Sequence, residues 1–228
     1  MTIADRLQDV RDQIARACQL VERDPAEVDL LPVSKRHSID AILEARASGL
    51  EAFGENRAQE LITKSQQLTE AGIAWHMIGS LQTNKVNQIV QVPGLVLIQS
   101  MDRIKLADAL QLAAFKEGQQ LDVLLQINAT GEDQKHGALP ADAPGLLAHL
   151  IDHCPNLQPV GVMAMGPLLG DPAPVFKRVA SLHEDLRERT GLPLPIASMG
   201  MTGDMTEAVA AGSTMVRVGT GVFGSRPT

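Results

Sequence analysis

The sequence predicts an α/β fold, a single (β/α)8 barrel spanning 1–228 with an extra helix at its N-terminus. Three observations carry this. Eight short apolar runs alternate with segments of helical period, and such alternation implies parallel strands joined by right-handed crossovers. Polar and glycine residues follow almost every run, while the run interiors are apolar, as expected where strand ends form a functional rim. No Gly-x-Gly-x-x-Gly opens a helix, which disfavours the alternative, an open doubly wound sheet.

Taken in order, Ile3, Leu7, Val10, Ile14, Cys18 and Val21 recur at steps of three and four, an amphipathic helix. Thr2 and Asp5 make its capping box, and Asp24-Pro25 ends it. The strands fall at 30–33, 51–53, 74–78, 95–99, 123–127, 159–163, 195–198 and 215–218. Between them, Ile39, Ile42, Leu43 and Ala47 share one helix face. A second helix runs through Ile104, Leu106, Ala109, Leu110 and Ala113, capped by Asp102 and stopped by Gly118. A third holds Val175, Val179, Leu182 and Leu186, with Asp171-Pro172 at its start and Gly191 at its stop. The helices after strands 2, 3 and 5 are less marked, the one near 206–211 is short, and 140–144 reads as loop.

Composition excludes several function classes. The 228 residues suit one large domain. Twenty Lys and Arg against 27 Asp and Glu give a net charge of −7, which argues against binding a phosphate backbone. Four Phe, one Trp and no Tyr leave little for base stacking. The two cysteines, Cys18 and Cys154, form no CxxC, so neither a disulfide scaffold nor a metal site is expected. No apolar run is long enough to span a bilayer, and the N-terminus lacks a secretory signal, so the expected location is cytoplasmic.

Two strand ends invite chemistry. Lys35 closes the first strand, where desolvation would favour a neutral, nucleophilic amine able to form a Schiff base; from position alone a lysine that snorkels to rim water is the plainer reading. Ser198-Met199-Gly200 after strand 7 and Gly219-Thr220-Gly221 after strand 8 fall where barrels of this class place a phosphate cradle, and two Gly-rich turns are the plain alternative. Barrel closure brings strand 8 beside strand 1. An aldehyde joined to a phosphate would bridge the two, whether pyridoxal 5′-phosphate (PLP) or a sugar phosphate in a Schiff-base aldolase.

The motifs then carry a resemblance. Pro32-Val33-Ser34-Lys35, Phe53 to Glu60 with Asn56, Trp75 to Lys85 with His76, Gly79 and Asn84, Ser100 to Arg103, Gln126-Ile127-Asn128, Gly131 to Gly137 with Lys135, Gly161 to Met165, Ser198 to Met201 and Gly212 to Gly224 run nearly end to end. In that order and spacing the chain resembles the pyridoxal phosphate homeostasis proteins. The resemblance implies a modified TIM barrel like the N-terminal domain of alanine racemase, with PLP at its mouth. It implies that Lys35 forms the Schiff base, that Ser198, Met199, Gly200, Gly219 and Thr220 bind the phosphate, that Arg217 faces the pyridine nitrogen, and that Asn56 and Met163 line the ring. Arg57 stands where the family usually has an aromatic residue, which puts an aromatic contact there in doubt. His76 is either a core histidine or a pocket group, and the role of Asn84 is open.

Two functions follow from the resemblance. One is a binding protein that holds PLP and exchanges it with free amino acids or apo-enzymes. The sequence contains no Tyr and stops soon after the eighth strand, so the second acid/base of alanine racemase is missing, and the expectation leans away from an enzyme. The alternative is a PLP-dependent amino-acid racemase or lyase. A closed barrel with an acidic surface favours a monomer.

Overall fold

The computed structural model describes residues 1–132 and 136–225, so Lys135 of the 131–137 motif lies outside the described residues. Its strands are β1 (Asp29–Pro32), β2 (Ala52–Glu55), β3 (Ala74–Met77), β4 (Leu95–Met101), β5 (Leu121–Ile127), β6 (Leu157–Ala164), β7 (Ile196–Ser198) and β8 (Met215–Val218). The helices are α1 (Ile3–Gln19), α2 (Ile39–Ala47), α3 (Ala58–Gln67), α4 (Val86–Val90), α5 (Ile104–Glu117), α6 (Ala143–His153), α7 (Ala173–Thr190), α8 (Met205–Ala210) and α9 (Thr220–Phe223).

All strand pairings are parallel, in the order β1-β8-β7-β6-β5-β4-β3-β2. The ring closes between β1 and β2 through a single bridge, Val33 to Gly54, supported by the Ser34 N–H donating to the Gly54 carbonyl at 3.0 Å. This is the eight-stranded barrel that the alternation predicts. Inside it, Leu97, Leu124, Val160 and Met163 form a small apolar plug, while a much larger core fills the layer between strands and helices. The mouth is therefore a shallow basin above a packed interior, not a channel.

Helix α1 buries Ile3, Leu7, Val10, Ile14, Ala17 and Cys18, a single stripe. Its capping box is complete, with Thr2 Oγ1 accepting from the Asp5 amide at 3.1 Å and Asp5 Oδ2 accepting from the Thr2 amide at 2.8 Å. It packs against α8 and α9, and Arg6 Nε donates to the Val222 carbonyl at 2.8 Å. The extra helix thus braces the last turn of the chain, which carries Thr220.

Several local expectations change. Helix α1 ends at Gln19, and Asp24-Pro25 opens a 3-10 turn instead. Leu43 is 42% exposed; Ala45 takes its place on the buried face of α2. Arg103, not Asp102, is the N-cap of α5, because the Asp102 carboxylate pairs with the Arg103 guanidinium. Residues 140–144 are not all loop, since Pro144 sits in the first turn of α6, where a missing N–H costs nothing. Gly118 and Gly191 stop α5 and α7 in the left-handed conformation, as the sequence indicates.

Candidate functional site: a basin at the barrel mouth

A cavity of about 250 Å³ opens at the C-terminal ends of the strands. Its wall includes Val33, Lys35 and His37 after β1, Asn56 after β2, and Ile78 after β3. Met163 and Met165 come from β6 and its end, Met201, Thr202 and Gly203 follow β7, and Arg217, Gly219 and Thr220 come from β8 and its end. Six of the residues expected from the sequence, Lys35, Asn56, Met163, Arg217, Gly219 and Thr220, therefore share one space.

Lys35 is half-buried and sits at the start of a strained turn, for Arg36 has φ +62 without being glycine. A buried ionic net holds this turn. Glu55, fully buried, accepts from Lys64 Nζ at 2.6 Å and from the Ser34 hydroxyl at 2.6 Å. Lys64 Nζ also donates to the Ser34 carbonyl at 2.7 Å and to Glu60 at 2.7 Å. Glu60 in turn accepts the Arg36 amide at 2.5 Å. Burial pushes the Glu55 carboxyl up, against the opposing pull of Lys64, and its second oxygen has no hydrogen-bond partner among the described residues. The sequence offers Glu60 only as the end of the Phe53–Glu60 motif, with no role, and does not single out Lys64. They sit at i and i+4 on α3, and that spacing was the available signal.

Across the basin a different network holds Arg217. The guanidinium donates to the Ser198 carbonyl and hydroxyl, each at 2.7 Å, and to the Ala164 carbonyl at 2.8 Å. The Ser198 hydroxyl donates to Gln99 Oε1 at 2.7 Å, which leaves the Gln99 amide to donate to His76 Nδ1 at 3.0 Å. His76 is thereby fixed as a neutral acceptor inside the barrel, and burial lowers its pKa to about 4. It is a core histidine and not part of the basin wall. Burial lowers Arg217 to about 10, still above neutrality, so it remains a cation.

The residues expected to cradle a phosphate after β7 are placed differently from those after β8. Ser198 and Met199 are fully buried; the Ser198 hydroxyl is taken by Arg217 and Gln99, and the Met199 amide donates to Met215. The Gly200 carbonyl accepts from the Arg217 amide. None of the three lines the cavity. Gly200 has φ +93, and a Cβ there would come within 2.6 Å of Ala208. Its left-handed turn delivers the next residues to the rim, so Thr202 and Gly203 face the cavity instead. After β8, Gly219 and Thr220 do line it, and hydrogen bonds of the short last turn begin only at Val222, which donates to the Gly219 carbonyl.

The remaining motif residues are mostly structural. Gly79 abuts Asn56, where a Cβ would lie 1.9 Å from the Asn56 carbonyl, so a glycine is needed to let the ends of β2 and β3 meet. Ser100 is fully buried and Asn84 is exposed. Arg57, in place of an expected aromatic, lines a smaller adjoining cleft of about 130 Å³ together with Lys35, Arg36, Asn56 and Glu60. His37, in the turn after Lys35, stacks on Phe223 with ring centroids 4.6 Å apart.

The donor set suits an anionic aldehyde: one amine at the rim, two threonine hydroxyls, glycine backbone, and a cation fixed in the wall. Comparison with known proteins agrees with this chemistry. Residues 6–227 match the family model described as alanine racemase, N-terminal domain. A pyridoxal phosphate homeostasis protein of Aquifex aeolicus is 37% identical over 99% of both chains. One from Pseudomonas aeruginosa is 39% identical over 99% of this chain and 96% of its own. The solved structure of PipY of Synechococcus elongatus with PLP bound has a TM-score of 0.84 and 34% identity, covering 97% of this chain and all of that one. With its motifs, its barrel and these relatives in agreement, the chain belongs to the pyridoxal phosphate homeostasis protein family, built on the alanine racemase N-terminal-domain fold.

Proposed function

We propose that this protein binds PLP in the basin through Lys35 and keeps it available for exchange with free amino acids or apo-enzymes. The observation that carries the reading is the convergence of Lys35, Thr202, Thr220, Gly219 and Arg217 on one cavity. When bound, PLP supplies an aldehyde for an amine, a phosphate for hydroxyl and amide donors, and a pyridine ring.

In this reading Lys35 takes the aldehyde, Asn56 and Met163 flank the ring, and Gly219 and Thr220 hold the phosphate, with Thr202 and Gly203 added to them. Ser198, Met199 and Gly200 serve as the backing of that cradle. Arg217 is assigned to the ring nitrogen. Its guanidinium is already a full cation with no lone pair to take a proton, and hydrogen bonds from both terminal nitrogens to Ser198 and Ala164 hold it in place, so it disfavours a protonated ring. A ring kept unprotonated is a poor electron sink, which suits holding over turnover. We further propose one domain over 1–228, acting as a cytoplasmic monomer. No described helix is long and apolar enough to cross a membrane.

The test is an absorbance scan of the protein as purified or after PLP loading, followed by borohydride reduction and peptide mapping. The expected result is a yellow protein with pyridoxyl on Lys35 and a colourless Lys35→Ala variant. Label on any other residue removes Lys35 from the site, and a colourless protein that takes up no PLP removes the reading altogether. Adding D- or L-amino acids separates carrier from racemase or lyase. Spectral change without product supports the carrier, and catalytic product formation overturns it.

A further inference from the structure

At the opposite end of the barrel from Lys35, the α6–β6 turn packs beside α5. Here Asp108 of α5, His149 of α6 and Cys154 at the α6 C-cap place a carboxylate oxygen, a ring nitrogen and a sulfur all within 4.8 Å of one another. The His149 ring nitrogen Nε2 lies 2.7 Å from Asp108 Oδ1. The three groups grade from core to solvent: Cys154 is 1% exposed, and the His149 and Asp108 side chains are 19% and 60% exposed. His153 follows one turn after His149 on the same helix face, with ring centroids 4.9 Å apart.

We infer that Asp108, His149 and Cys154 form a binding site for one divalent transition ion of the zinc class, with its fourth position open to water. Sulfur, imidazole and carboxylate together select zinc-like ions over magnesium or calcium, which take oxygen alone. Ligand atoms around a tetrahedral zinc stand about 3.3–3.7 Å apart, given its bond lengths. To take an ion the 2.7 Å His149–Asp108 contact must open slightly, which the exposed Asp108 side chain allows by rotating, while atoms lying within 4.8 Å of one another need only modest adjustment to reach that spacing.

The backbone around the site is already fixed. Gln111 of α5 accepts from the Asn156 amide at 2.9 Å and donates to the Asn156 side chain at 2.9 Å, and Asn156 Nδ2 donates to the Gln119 carbonyl at 2.8 Å. This clasp locks α5 against the turn that follows Cys154. Burial, with the Asp108 charge, holds the thiol up at about 11, so without a cation the sulfur stays protonated. Metal binding forms the metal–sulfur bond and releases that proton to water. An ion here would staple α5 to the α6–β6 turn, independently of the basin and its ligand.

The experiment is a cobalt(II) titration of the metal-stripped, reduced protein, read by absorbance. The expected result is a thiolate-to-cobalt band and strong visible bands that saturate at one ion per chain, bleach on adding zinc, and come with a higher Tm in zinc. Cys154→Ser loses the thiolate band, and Cys18→Ser keeps it. Because Cys154 is buried, the surface variants His149→Gln and Asp108→Asn provide a second check. Each should weaken cobalt binding at least about tenfold while circular dichroism stays unchanged. A titration with no saturating band, a thiolate band that survives Cys154→Ser, or affinities unchanged in both surface variants overturns the site.

Discussion

The two walls of the basin are held by opposite kinds of chemistry. The β1–β2 wall, which carries Lys35, rests on charges: Glu55, Lys64 and Glu60 knit β2 and α3 to the Ser34–Arg36 turn. The β7–β8 wall rests on a directional chain of hydrogen bonds from Arg217 through Ser198 and Gln99 to His76, in which every acceptor is neutral. Ion pairs with several partners can restrain a turn from different sides, so they stand where a strained backbone must be kept in place. A chain of neutral acceptors can hold a guanidinium in a dry interior without cancelling its charge. One wall fixes where an amine emerges; the other keeps a positive charge facing the cavity.

The largest expected effect comes from breaking the charged wall. Lys64→Met leaves Glu55 and Glu60 without their shared cation and should cost about 3–5 kcal/mol in urea unfolding at neutral pH. The cost has a pH signature. Burial already raises the Glu55 carboxyl, and without Lys64 it rises further, so the folded state of the variant keeps its proton where the unfolded chain loses it. The penalty should therefore grow as pH rises above the ordinary 4.5 and shrink below it. A pH-independent loss would mean that packing, not charge, matters at Lys64.

The neutral wall is probed by acid. The His76 pKa falls from 6.5 to about 4 on folding. A group depressed in this way stabilises the fold above pH 6.5, and its contribution drains away as pH drops towards 4, by about 3 kcal/mol in all. His76→Asn keeps an acceptor for Gln99 without a titrating ring. Subtracting its pH profile from that of the wild type isolates the effect and cancels the opposite slope from Glu55. Parallel profiles would count against a neutral, buried His76.

Ser198→Ala is the mildest cut, removing one hydroxyl that accepts from Arg217 and donates to Gln99. It should cost about 1–3 kcal/mol, since the Ser198 carbonyl still holds the guanidinium. Borohydride trapping on Lys35 should be unaffected, because the hydroxyl faces away from the cavity. A variant that folds normally but fails to trap would move Ser198 from the backing into the cradle itself.

Some of this was written in local pattern. The eight strands sit within a few residues of the apolar runs, because period and length report burial directly. Lys35, Asn56, Met163, Arg217, Gly219 and Thr220 were legible as basin groups, since they lie on strands or just beyond strand ends, and in a barrel those ends share a rim. The α5 cap was misread because Asp102 found a closer partner in Arg103 than the helix amides.

By itself, then, the sequence determined the barrel, the end at which chemistry gathers and the lysine just past its first strand. Tertiary structure alone decided that Thr202 and Gly203 replace Ser198 to Gly200 at the wall, that α3 supplies Lys64 and Glu60 to steady Lys35, and that Asp108 meets His149 and Cys154. The reason is that strand and helix periods are set by neighbours in the chain. Which polar atom finds which partner is set by packing between residues far apart in sequence, where a single left-handed turn such as that at Gly200 redirects every atom after it.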